Sequence, residues 1–164
     1  MKKIVTIGVY GFDKDSFFKA LLDAKIDTFC DLRLRRGMRG SEYAFANSES
    51  LQKKLRELGI RYIHAKDLAP SQAIREKQKR EDEKLGIAKR NRKTLGPTFI
   101  NEYEKECLSH FNSYEFIKMI GWETKVISLF CVEREPDACH RSLVANRLAR
   151  NLELPVEHVK PPVV

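Results

Sequence analysis

The stretch from Val126 to Arg150 limits what this chain can fold into more than any other. Val126 to Phe130 is an almost unbroken apolar run with β-branched members, the pattern of a strand buried on both faces. Leu143, Val144 and Leu148 then recur at helical spacing. Between them lies a short polar loop with Cys131, Glu133, Pro136, Asp137, Cys139, His140 and Arg141. A strand that leads into the amino end of a helix is where open α/β sheets bind ligands. Helix amino ends also attract anions and lower thiol pKa values. The spacing therefore places a site at this loop.

The preceding chain supplies a sheet for that strand to join. Lys3 to Val9 reads as a first buried strand, followed by a helix capped by Asp13 or Asp15 with Phe17, Phe18, Leu21 and Leu22 on its apolar face. Thr28 to Leu34 is a second strand. Ser48 or Ser50 opens a helix carrying Leu51, Leu55 and Leu58, which Gly59 ends. Ile60 to His64 is a short third strand. This β-α-β-α-β order with short links implies a parallel sheet with right-handed crossovers. Lys66 to Pro97 departs from the pattern, being dense in charge of both signs, and reads as a solvated helix plus a mobile basic loop. Thr98 to Ile120 resumes helical spacing, and Leu154 to Val159 offers a last strand. The expected fold is one three-layer α/β domain over residues 1–164, with a mostly parallel sheet of about five strands and a basic helical insertion at 66–97.

Length and charge narrow the function classes. The 164 residues suffice for one domain with a real core and are too few for two ordinary ones. No apolar run approaches the roughly 20 residues needed to cross a bilayer, so no membrane role is expected. The amino terminus is too short and strand-like for an export signal. Cys30, Cys107, Cys131 and Cys139 are therefore expected as reduced thiols in a cytoplasmic protein. A net charge of +8 favours polyanionic partners, either nucleic acid or a phosphorylated small molecule.

In a parallel sheet the strand carboxyl ends share one rim. That rim would gather Tyr10, Asp31, Arg33, His64, Cys131 and Glu133, and residues two apart on a strand face one side. Arg33 is expected as an anion fork oriented by Asp31, against the alternative of a plain buried ion pair. Arg35, Arg36 and Arg39 are spaced by glycines in a loop suited to bidentate phosphate contacts. At the start of the last long helix, Cys139 is a candidate nucleophile or redox thiol, His140 an acid or base, and Arg141 an anion ligand. Asp31 and Glu133 complete the expected catalytic set, and Tyr10, His64 and Cys131 line the pocket.

Several chemistries lack their signatures. Neither G-x-G-x-x-G nor a Walker loop occurs, and no cofactor is expected. Cys-x5-Arg, the loop of thiol phosphatases and rhodaneses, fits neither cysteine, since Asp137 and Ala145 stand where the arginine would. The C-x7-C-H spacing matches no usual zinc pattern, so no metal is expected.

T-I-G near the amino terminus, D-L-R after the second strand, G-I-R-Y-I-H at the third and C-V-E-R-E-P-D-A-C-H-R-S at the fourth together resemble one bacterial and archaeal family. It is the domain of unknown function numbered 488. The resemblance runs over nearly the whole chain and implies a single α/β domain in the cytoplasm. It also implies that Asp31, Arg33, Cys131, Glu133, Cys139, His140 and Arg141 belong to a family motif, without supplying a reaction. Many members carry serine or threonine after G-Y; this chain reads G-V-Y-G-F and lacks that hydroxyl. The leading expectation is an enzyme-like pocket for a phosphate-bearing ligand, a nucleotide or nucleic acid. The alternatives are a non-catalytic nucleic-acid-binding module and a thiol-redox protein using Cys131 and Cys139.

Overall fold

Five strands, β1 (Lys3–Gly8), β2 (Thr28–Asp31), β3 (Arg61–His64), β4 (Val126–Cys131) and β5 (Val156–Val159), form one sheet. They belong to a computed structural model that describes residues 1–163. The order is β3-β2-β4-β1-β5, and every pairing is parallel. Helices cover both faces, which gives the expected three-layer α/β architecture.

Strand alternation builds the two cores. Val5, Ile7, Phe29 and Phe130 face α1 (Lys14–Asp23) and α2 (Ser48–Glu57). Ile4, Cys30, Ile127 and Leu129 face the other way, toward α3 (Gln72–Lys84), α4 (Pro97–Tyr103), α5 (Ser113–Ile120) and α6 (His140–Leu152). Phe17 centres the first core, with Phe12, Phe18, Phe29, Phe45 and Phe130 rings all around it. Complete burial of such a ring contributes about 1.5–3 kcal/mol. Asp13, not Asp15, caps α1, in a reciprocal box with Ser16.

Neighbouring β1 and β4 send their connections to opposite faces, β1 through α1 and β4 through α6. Such a divergence opens a crevice at the carboxyl ends of the two strands.

Three sequence expectations change. β2 stops at Asp31: Leu32 still donates to Phe130 O, but Arg33 N turns back onto Asp31 Oδ1. The helical run 98–120 is two helices, not one. α4 widens into a π turn at Glu104–Leu108, and Asn112 starts α5 by accepting from Tyr114 N and Glu115 N. Cys107 is half-buried within this π turn. Finally, 66–97 is no solvated appendage. α3 buries Ile74, Gln78 and Asp82, and Arg92 of the following loop is buried against them. Charged groups go inside here because they satisfy one another: Arg92 Nη1 donates to Asp82 Oδ2 at 2.8 Å, and Gln78 Nε2 to Asp82 Oδ1 at 2.9 Å.

Candidate active site

The crevice is a cleft of about 910 Å³, within the ordinary range for a small-molecule site. Tyr10 lines it after β1, Leu32 to Arg35 after β2, and Cys131 to Glu133 after β4, with Cys139 and His140 at its floor. α3 and the loop 87–92 form the opposite wall, so the segment expected as a mobile insertion closes the site. Arg92 anchors that wall, donating to Ala138 O through both Nε and Nη2 and reaching Glu133 Oε1 at 3.4 Å.

The floor is assembled by a tight turn. After β4 the chain makes a single 3-10 turn at Pro136–Ala138, then Cys139 takes an extended conformation as the residue before α6. The turn folds Cys139 back onto Cys131. The two sulfurs and a His140 ring nitrogen lie within 4.8 Å of one another, and all three residues are buried. His140 Nδ1 is 3.6 Å from Cys139 Sγ, and Nε2 is 3.2 Å from Leu32 O. A carbonyl can only accept, so Nε2 carries a proton and Nδ1 is the nitrogen turned to the thiols. Tyr103 packs edge-on against the imidazole, and its hydroxyl donates to Leu68 O at 2.7 Å.

This geometry separates the two thiols. Burial alone would push Cys139 up, but the Cys131 hydrogen bond, the His140 charge and N–H, and Arg141 together bring it well below the usual thiol range. Cys131 is held well above that range, first by donating to Cys139 and then by burial. Burial would depress His140, yet the neighbouring thiolate raises it. The floor thus favours the charged forms of Cys139 and His140 over those of isolated groups and the neutral form of Cys131. Glu133 is raised by burial and by Cys139, opposed by Lys89 and Arg92. Its Oε1 receives Lys89 Nζ and Arg92 Nη2, each at 3.4 Å, while its buried Oε2 has no partner among the described residues.

The second cluster on the rim is closed. Asp31, fully buried and outside the cleft lining, accepts from Arg33 Nε at 2.9 Å, Arg33 Nη2 at 2.8 Å and Tyr62 Oη at 2.8 Å. Arg33 also donates to Ala46 O and lies over the Phe130 ring, leaving only Nη1 unpartnered. The plain ion-pair alternative thus describes Asp31 better than a catalytic role. His64 Nε2 contacts Arg33 O at 2.6 Å and Arg36 reaches Tyr62 Oη; neither lines the cleft. Arg141, expected as an anion ligand, is fully buried and donates to Glu133 O at 2.6 Å and Arg134 O at 3.1 Å. It orders the loop after β4, at a place where Gly8 of β1 passes so close that a side-chain carbon would overlap the Glu133 carbonyl. Of the expected anion ligands, Arg33, Arg35 and Arg39 line the cleft.

Residues outside the expected set join them. Eight arginines and lysines line the cleft against three carboxylates. Arg35, Arg39, Arg75 and Arg90 are in no ion pair among the described residues. Arg90 lies over the Tyr10 ring at 5.6 Å. For Arg75 and Arg90 the only sequence signal is the local density of charge. No helix among the described residues is long and apolar enough to cross a membrane.

Comparison with the curated proteins gave no match, and comparison with the solved structures gave none. The family model described as "Domain of unknown function DUF488" matches residues 13–148, a span that holds β2, β3 and β4, the wall formed by α3 and the loop 87–92, and the whole thiol–imidazole floor, and the chain belongs to that family.

Proposed function

We propose that the cleft binds a phosphate-bearing ligand, a nucleotide or an end of nucleic acid, and acts on it with the groups at its floor. One observation carries this reading: cations without carboxylate partners ring the mouth, while two cysteines, a histidine and a half-satisfied buried glutamate share the bottom. Arg35, Arg39, Arg75 and Arg90 supply the donors that suit phosphate oxygens. Tyr10 offers a ring face beside Arg90 for a base. Cys139 with His140 is the reactive end, and Glu133 stands as acid or base.

Equilibrium binding of a fluorescent nucleoside triphosphate tests the reading. Arg35→Ala combined with Arg90→Ala is expected to weaken binding by at least tenfold, since each charge-assisted contact contributes about 1.5–3 kcal/mol. The melting temperature should hardly move, because both side chains are exposed. Unchanged affinity would overturn the proposal. A second reading, a non-catalytic nucleic-acid-binding module, draws on the exposed Lys89, Arg90 and Lys93 beside the mouth. It requires oligonucleotide binding that falls steeply with salt and is indifferent to Cys139→Ser.

A further inference from the structure

The geometry points to a zinc site at the floor of the cleft, with Cys131 Sγ, Cys139 Sγ and His140 Nδ1 as three protein ligands and the fourth position open to the cleft.

The separations fit. Zinc bonds of about 2.3 Å to sulfur and about 2.0–2.1 Å to nitrogen, set tetrahedrally, place neighbouring donors roughly 3.5–3.8 Å apart. Cys139 Sγ and His140 Nδ1 are 3.6 Å apart, and all three donor atoms lie within 4.8 Å of one another. Small side-chain rotations close the remainder. The donor chemistry fits as well, because two thiolates and an imidazole select a borderline-soft cation over magnesium or calcium.

Two features outside the donor set point the same way. A metal-bound histidine typically gives its other ring N–H to a carbonyl or carboxylate, which fixes the tautomer and aims the free nitrogen at the ion. His140 does this with Leu32 O at 3.2 Å, the carbonyl of the residue just past β2. Glu133 is the second. Its Oε2 is buried without a partner, in a residue that is 5% exposed and borders the same cleft. A carboxylate beside two thiols is costly to bury, and a dication there would offset that negative charge. Three protein ligands with a free fourth position form the pattern of catalytic rather than structural zinc. The ion would face the phosphate group that the arginines hold and act as a Lewis acid on it. That use rests on the reading of the cleft proposed above; the metal site itself does not.

The test starts from full-length protein purified in reductant and stripped with a chelator. Zn²⁺ titrated against a chromophoric chelator is expected to bind at one equivalent per chain. Co²⁺ in its place should give thiolate charge-transfer bands in the near ultraviolet and the visible bands of a tetrahedral ion. Cys131→Ser, Cys139→Ser and His140→Ala should each lower zinc affinity at least 100-fold, while Cys107→Ser, which removes a thiol elsewhere, should leave it unchanged. Circular dichroism shows whether each variant folds, and the wild-type cobalt spectrum needs no variant. The inference is overturned by wild type that takes up no zinc, by cobalt bound without sulfur charge transfer, or by binding that depends on Cys107. Wild type that rejects zinc but closes a Cys131–Cys139 disulfide on oxidation overturns it in favour of thiol-redox chemistry. Nucleotide affinity of the stripped protein is measured in parallel. If it persists without zinc uptake, only the metal site fails; if zinc binds and nucleotide does not, only the phosphate reading fails.

Discussion

Two buried polar clusters sit on the same rim of the sheet and are built on opposite terms. At the end of β2, the Asp31 carboxylate receives donors on both oxygens, and Arg33 returns a bidentate pair. After β4, Glu133 shares one oxygen between two distant cations and leaves the other bare, beside two thiols and an imidazole. The first cluster has nothing left to offer a ligand except Arg33 Nη1; the second is incomplete by itself. Location on the rim therefore does not make a residue functional. What separates the two is whether the protein has already satisfied the group.

Stability measurements can test this difference. Asp31→Asn leaves the Arg33 guanidinium buried without its counter-charge and should cost about 3–5 kcal/mol in denaturant unfolding. A loss under ~1 kcal/mol would mean that the β2 cluster is as open as the other. Glu133→Gln should cost far less, about 1 kcal/mol or below, with a characteristic pH dependence. Burial holds the Glu133 carboxyl above its ordinary range. The stability it contributes relative to glutamine is therefore fully present below the unfolded value near ~4.3 and is lost as pH rises through the folded value. The gap between wild type and Glu133→Gln should narrow as pH rises above about 4; a gap that widens would show the carboxylate to be well paired. Lys89→Ala removes a partly exposed partner of Glu133 and should change stability by less than ~1 kcal/mol. A larger loss would place Lys89 with the structural groups and remove it from the mouth.

Much of the fold was legible because it is written in apolar spacing. β1 and β4 are nearly continuous apolar runs, and the helices that follow them repeat at 3.6 residues. The segment 66–97 was misread for a physical reason. Its packing joins Asp82 to Arg92 and Arg92 to the loop after β4, and periodicity carries no signal for polar groups that are buried by pairing. The candidate site was legible as a set of residues more than as a set of roles. Cys131, Cys139, His140 and Glu133 do converge, yet no familiar ligand spacing announces it, because the turn at Pro136–Ala138 brings the donors together through space. Arg141 looked like an anion ligand because it opens a helix, and helix amino ends attract anions. Here the carbonyls of Glu133 and Arg134 claim it.

Gly8 gives that last contact a wider meaning. There is no room for a side chain between it and the Glu133 carbonyl, so β1 and the loop that leaves β4 are in direct backbone contact. A single methyl there would act as a wedge, prying the carbonyl from the Arg141 guanidinium and tilting the whole Cys131–Glu133 corner. The tolerance to which the thiols and the carboxylate are aligned thus depends on a side-chain atom that the neighbouring strand lacks, at the residue paired with Cys131.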